Sequence, residues 1–260
     1  MKVLLVGGSG MVGTFITPYL AREHELRVLD TRPPTHADLV DYVEGSIADP
    51  DAVARALDGM DTFVNMVMRN EGAKSETDQW PASIQTEYEV NVVGLHLLLW
   101  TAQQQGIKRG VHIGTRTVHR IWRTADGGPQ RYQSEETMPL ENGSLYGFTK
   151  GLGERVCQYF ADHFGMRLIA LRITGPRTRQ AFIAERREPI HPGLYVMDEE
   201  DLADAILRAL RVSQTGAARF DPILIAADEH EVDHNLSKAR MILGWEPRGH
   251  LLLEADATHA

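Results

Sequence analysis

Tyr146 and Lys150 stand four residues apart in the segment SLYGFTKGLGE, Ser144 to Glu154, a spacing that places both side chains on one face of a helix. A free tyrosine has a pKa of about 10 and is a poor base at neutral pH. An ammonium beside it favours the phenolate and lowers that pKa. A tyrosine tuned in this way can take the proton of a hydroxyl group while hydride leaves the same carbon. The substrate oxygen must also be held. Thr115 is placed for that role, just after the apolar run Gly110 to Ile113, at the carboxyl end of a strand where a parallel sheet presents its ligands.

A departing hydride needs an acceptor, and the start of the chain carries a site for one. Gly7-Gly8-Ser9-Gly10-Met11-Val12-Gly13 follows the apolar run Val3 to Val6 and opens a helix, with Gly7, Gly10 and Gly13 three residues apart each time. The unpaired N–H groups and partial positive charge of a helix N-terminus suit a pyrophosphate. Glycines permit the tight turn and the close approach of backbone to phosphate. Asp30 closes the next apolar run, Leu26 to Leu29, near the spacing expected of an acid that binds a ribose. Its carboxylate would accept hydrogen bonds from the ribose hydroxyls and repel a 2′-phosphate, which predicts NAD as cofactor in preference to NADP. Arg32 stands close by, where an arginine could accommodate that phosphate.

Together these residues resemble the extended, epimerase/dehydratase-like branch of the short-chain dehydrogenase/reductase family. The resemblance runs through Gly7 to Gly13, Asp30, Asn91 to Gly94 (NVVG), Gly114 to His119 (GTRTVH), Ser144 to Glu154, Leu171 to Arg177 (LRITGPR) and Ser237 to Arg248 (SKARMILGWEPR). It implies Tyr146 as base, Lys150 as a holder of the nicotinamide ribose, Thr115 on the substrate oxygen, and a homodimer built through two long helices. The cofactor site it implies comprises Gly7, Gly10, Met11, Val12, Gly13, Asp30, Arg32, Ser46, Ile47, Asn65, Asn91, Ile173 and Pro176, with Tyr146 and Lys150. Three departures stand out. Gly45-Ser46 replaces a glycine–aspartate pair that contacts adenine in relatives, and Asn65-Met66-Val67-Met68 replaces an apolar-alanine run. Leu171 to Pro176 lacks the asparagine that relatives use on a nucleotide sugar's diphosphate. With little chain between that segment and Glu199, the sequence is similar to the compact members, the uronate dehydrogenases. A small free sugar, sugar acid or polyol is the substrate this implies. Two alternatives remain: a nucleotide-sugar epimerase or dehydratase with tightly bound NAD, and a non-catalytic dinucleotide-binding sensor, which typically lacks the tyrosine or the lysine.

The elements that must position these groups alternate. Strands are expected at Val3 to Val6, Leu26 to Leu29, Thr62 to Met66, Gly110 to Ile113, Arg167 to Arg172 and Ile223 to Ala226. Helices are expected at Met11 to Arg22, Pro50 to Leu57 (capped by Asp49), Ile84 to Gln105, Leu145 to Phe164 and Glu199 to Val212. The pattern predicts an α/β fold, a doubly wound parallel sheet of the Rossmann type with a small C-terminal substrate lobe. We divide it into an NAD-binding domain, residues 1–172, and a substrate-side lobe, 173–260, interleaved with the last helix and strand. Gly175 to Gly193 and Asp228 to Arg248 do not fit the alternation and belong to that lobe.

Arg69, Arg116, Arg120, Arg123, Arg177 and Arg179 fall in loops at the carboxyl edge of the sheet, where Arg69, Arg116 and Arg177 are candidates to clamp a substrate carboxylate. The eleven histidines show no metal-ligand spacing, so no metal is expected; the run Asp228 to His234 reads as a solvated acidic loop, and Asp198 to Asp201 as an acidic helix start. A net charge of −9 argues against nucleic acid and anionic membranes as partners. No apolar run approaches the roughly 20 residues of a membrane span, and the first strand is too short for a signal peptide. The one cysteine, Cys157, fits a reducing cytoplasm and a buried position in the Tyr146 helix. Val90, Val93, Leu97 and Leu98 give the helix from Ile84 more apolar surface than one stripe needs, which predicts a homodimer.

Overall fold

A computed structural model of the chain describes residues 1–70, 82–118, 134–136, 144–187 and 195–249. Seven strands form one sheet: β1 (Lys2–Val6), β2 (Glu25–Asp30), β3 (Val40–Glu44), β4 (Thr62–Asn65), β5 (Arg109–Thr115), β6 (Arg167–Ile173) and, last in the sheet, β9 (Arg219–Ile225). Their order is β3-β2-β1-β4-β5-β6-β9 and every pair is parallel. The chain leaves β1 toward β2 on one side and returns to β4 on the other, so the loops after β1 and β4 diverge and leave a crevice at the carboxyl edge.

Both faces of the sheet are covered, as an all-parallel sheet requires. Alternate residues of β1 point to opposite faces: Val3 and Leu5 join one core and Leu4 and Val6 the other. The first core is closed by α1 (Met11–Leu20) and α7 (Glu199–Ser213), the second by α2 (Pro50–Leu57), α4 (Gly94–Gln104) and α5 (Leu145–Phe164). Asp49 caps α2, accepting from the Asp51 N–H at 3.0 Å, and Pro50 occupies its first turn as expected. Ser144 caps α5 through the Gly147 N–H, and Gly165, in the left-handed region at φ 67°, ends it.

Several elements differ from the sequence reading. The helix expected over Ile84 to Gln105 is α3 (Ala82–Tyr88) and α4 joined by a π-helical turn, Glu89–Val93. The segment after β6 is not irregular. It holds β7 (Pro176–Arg177), α6 (Arg179–Arg187) and β8 (Met197–Asp198), with β7 and β8 paired in a small parallel sheet. Asp198 caps α7 and Glu199, Glu200 and Asp201 form its acidic first turn, as expected, but Asp201 has a further role. It is buried, and its carboxylate accepts the N–H groups of Arg248 and Gly249 at 2.9–3.1 Å, while its carbonyl accepts the Trp245 indole N–H at 3.0 Å. Asp201 thus anchors the Trp245 segment, and burial pushes its pKa up to about 6.

Candidate active site

One cavity of about 610 Å³ runs along the carboxyl edge of the sheet. At one end lies the glycine loop. Gly7 sits at φ 80°, and a Cβ there would press on Val67 at 3.0 Å, so the loop after β4 approaches only because position 7 has no side chain. A Cβ at Gly13 would collide with the Gly8 backbone, so Gly13 serves close packing of α1 on the loop rather than ligand contact, and it does not line the cavity. Gly10 is the N-cap of α1 and supplies no side-chain cap, which leaves the first N–H groups of the helix to a ligand. Gly7, Gly10, Met11 and Val12 line the cavity, as do Asp30, Arg32, Ser46 and Ile47. The Asp30 carboxylate accepts the N–H of Ser9 on one oxygen and of Arg32 on the other, both at 3.1 Å, so backbone fixes its orientation at the cavity wall. An uncapped helix start, a glycine that admits close approach and an oriented carboxylate fit a dinucleotide.

At the other end are Thr115, Tyr146, Lys150, Ile173 and Pro176, all lining the cavity. Thr115 closes β5, two residues beyond its expected end, and its hydroxyl shares a 2.8 Å hydrogen bond with Thr117. Tyr146 is half-buried; burial raises its pKa, the Thr115 hydroxyl pulls it back, and the negative charge of Glu87 adds to the rise. The expected lowering by Lys150 is therefore not seen. The Lys150 ammonium is buried and donates to the carbonyls of Ile113 at 2.8 Å and Val67 at 3.5 Å. Burial lowers its pKa to about 8, and Glu154, one turn further along α5, opposes that fall.

Asn65 and Asn91, expected on the cofactor, do not line the cavity. Asn65 donates to His112 Nδ1 at 3.1 Å and accepts the Val67 N–H at 3.3 Å. Asn91 sits in the π-helical turn, a place where such turns often mark function. Its side chain accepts the Arg69 N–H at 2.8 Å, donates to the Arg69 carbonyl at 2.9 Å and reaches Thr149 on α5 at 3.0 Å. Both asparagines act behind the wall, fixing the Val67–Arg69 strip that the cavity uses. Of the arginines, Arg69 lines the cavity, Arg177 is paired with Glu185 at 2.6 Å, and Arg179 with Glu200 at 3.3 Å. Arg116 faces His234, and Arg120 and Arg123 lie outside the described residues.

Sequence reasoning missed the buried layer beneath Lys150. Arg172 on β6 grips Glu154 in two hydrogen bonds, Nε to Oε1 at 2.9 Å and Nη2 to Oε2 at 2.6 Å. His112 on β5 is also buried, and burial, with the Lys150 charge, holds its pKa well below the ordinary value. The spacing Tyr146, Lys150, Glu154, each four apart, was the available signal. Asp228 and His234 correct the reading of a solvated acidic loop, since both are buried. Cys157 is buried as expected, and burial raises its thiol pKa.

The glycine loop after β1, the acid that ends β2 and the Tyr146–Lys150 pair share one cavity at the carboxyl edge of a parallel sheet, the arrangement of a dinucleotide-binding α/β protein. The chain belongs to the NAD dependent epimerase/dehydratase family, whose model matches residues 3–191. It is 32% identical over 182 residues to a 3 beta-hydroxysteroid dehydrogenase/Delta 5-->4-isomerase of Mycobacterium tuberculosis, a match covering 67% of this chain and 46% of that protein. The chain thus spans about half the length of that relative. It is 25% identical to an L-arabinose 1-dehydrogenase (NAD(P)(+)) of Haloferax volcanii, over 95% of this chain and 96% of that one. A short-chain dehydrogenase/reductase superfamily protein from Agrobacterium tumefaciens, solved with bound NAD, shares the fold at a TM-score of 0.77 and 19% identity, covering 99% of this chain and 96% of that one.

Proposed function

We propose that the protein is an NAD-dependent oxidoreductase that takes hydride from a hydroxyl-bearing carbon of a small sugar, sugar acid or polyol. The observation that carries this reading is that Thr115, Tyr146 and the buried Lys150 line the same cavity as the glycine loop and Asp30. Bound NAD would supply the hydride acceptor. Thr115 holds the substrate oxygen, Tyr146 takes the hydroxyl proton, and Lys150 is assigned to the nicotinamide ribose. The match to the arabinose dehydrogenase along nearly all of both chains supports a free sugar as substrate. Arg69, which lines the cavity and whose backbone Asn91 fixes in the wall, is the side chain we assign to a substrate carboxylate; Arg116, expected beside it, does not line the cavity and faces His234. Arg177 takes no part, because Glu185 already neutralises it. In this reading the substrate-side lobe is drawn from residues 173–260, interleaved with α7 and β9 of the main sheet.

A second reading, oxidation of a sterol-like alcohol, is favoured by the 32% identical hydroxysteroid dehydrogenase and by Met66, Val67 and Met68 along the cavity. One panel separates the readings: free aldoses, aldonic and uronic acids, nucleotide sugars and a 3β-hydroxysteroid, each with NAD. Net NADH with a free sugar or sugar acid is the expected result. Conversion of a nucleotide sugar without net NADH would point to the epimerase, and binding of NAD without any turnover to a sensor.

We also infer a homodimer in a reducing cytoplasm. Val93, Trp100 and Tyr159 are exposed, and Val92, Val93, His96, Leu97 and Trp100 line a shallow apolar depression on the α4 side of α5. Leu98, expected on that face, lies in the core instead. Among the described residues no helix is long and apolar enough to cross a membrane.

A further inference from the structure

The loop after β9 is built around one carboxylate. Asp228 accepts the N–H of Val232 at 3.0 Å on one oxygen, and those of Asp233 and His234 at 2.9 Å on the other. That second oxygen also meets His234 Nδ1 at 3.1 Å. A carboxylate only accepts, so Nδ1 carries the proton and Nε2 presents its lone pair. Nε2 faces Arg116 Nη1 at 3.5 Å, the long end of hydrogen-bonding range, and a guanidinium only donates. The edge of the Tyr195 ring closes on the imidazole, with centroids 4.8 Å apart, and the Tyr195 hydroxyl is held by Asp233 at 2.6 Å. Burial and the Arg116 charge both keep the His234 pKa below its ordinary value, in accord with a neutral ring.

Arg116 is the residue after Thr115, inside the short turn Arg116–Val118 that the Thr115 and Thr117 hydroxyls brace. We propose that His234, fixed by Asp228, is a positioning residue that sets the Thr115–Thr117 turn by accepting a hydrogen bond from Arg116. This inference rests on the reading of Thr115 as the residue that holds the substrate oxygen. The Asp228–His234 pair thereby ties the loop after β9 to the end of β5, so the substrate side of the cavity is ordered before substrate arrives.

Two measurements test it. The first needs no substrate: nitrogen NMR of the imidazoles, with His234 assigned by its loss in His234→Gln. The expected result is a neutral ring with the proton on Nδ1, whose Nε2 resonance moves in Arg116→Met. A proton on Nε2, or no response to Arg116→Met, overturns the proposal whatever the enzyme oxidises. The second is kinetic, using the best substrate of the panel above. His234→Leu should lose roughly 10- to 100-fold in kcat/KM for substrate, the scale of one hydrogen bond to a charged group, with NAD affinity unchanged. His234→Gln keeps an acceptor for Arg116 and should recover much of that loss. Adding His234→Leu to Arg116→Met should cost little more than Arg116→Met alone. Additive losses, or equal damage from Gln and Leu, overturn the positioning role while leaving the proposed reaction standing; turnover of nothing in the panel would sink the reaction and leave the NMR result to decide the positioning role.

Discussion

Glu154→Gln perturbs the structure where burial makes a single charge most costly. The Glu154 and Arg172 side chains are 1% and 3% exposed and joined by two hydrogen bonds, and Gly114 lacks the Cβ that would crowd Glu154 Oε1 at 3.2 Å. Removing one partner of a buried pair commonly costs about 3–5 kcal/mol. For a domain of this size that corresponds to a fall in Tm of about 6–20 °C. The same change removes the charge that opposes the desolvation of Lys150, whose pKa is already about 8, so the ammonium is lost at a lower pH. The high-pH limb of kcat/KM should then move toward neutrality. Thermal and urea unfolding followed by circular dichroism read the first effect, and pH–rate profiles the second. The double variant Glu154→Leu/Arg172→Met replaces both charges and should recover part of the stability but not the pH limb. A single-variant loss below about 1 kcal/mol, or an unmoved limb, would refute the reasoning.

Asp30→Ala should raise KM for NAD about 10- to 100-fold, by removing a charged acceptor for ribose hydroxyls, and narrow the gap to NADP; a wild-type preference for NADP in kcat/KM would contradict the role given to Asp30. Asp201 has its pKa raised to about 6 in the folded state against an ordinary 3.8, so the folded protein binds the extra proton and Asp201 favours folding more as pH falls from about 6 to 4. The stability difference between wild type and Asp201→Asn should change by about 2–3 kcal/mol across that window, and a difference that stays flat in denaturant titrations counts against the anchor as described. Light scattering should give twice the 29.0 kDa chain mass at micromolar concentration and the single mass for Trp100→Glu.

What the sequence made legible was whatever local pattern dictates. Apolar runs ending in glycine, the Asp49-Pro50 helix start and the Tyr146–Lys150 spacing led to β1, α2 and α5 with bounds within a residue or two. Strand β3 was harder: Val40–Glu44 is half-exposed at the sheet edge and has no buried run to announce it. The π-helical turn was not legible in the sequence; Asn91 within it bonds the Arg69 backbone and Thr149, partners 22 and 58 residues away that spacing does not reveal. The same holds for Asp201, Asp228 and His234. Each looks like a surface polar residue in sequence and becomes buried only when a distant or folded-back backbone offers its N–H groups. Asn65 and Asn91 were placed near the right wall, but which side of it they serve depended on partners that spacing does not reveal.

The central claim is that Tyr146 removes the hydroxyl proton as hydride leaves for NAD. Its most direct test is NADH formation by wild type and Tyr146→Phe on the best substrate of the panel, with NAD affinity measured in parallel. The account predicts a fall in kcat of about 10²–10⁴-fold with NAD binding unchanged. Near-normal turnover by Tyr146→Phe would contradict it.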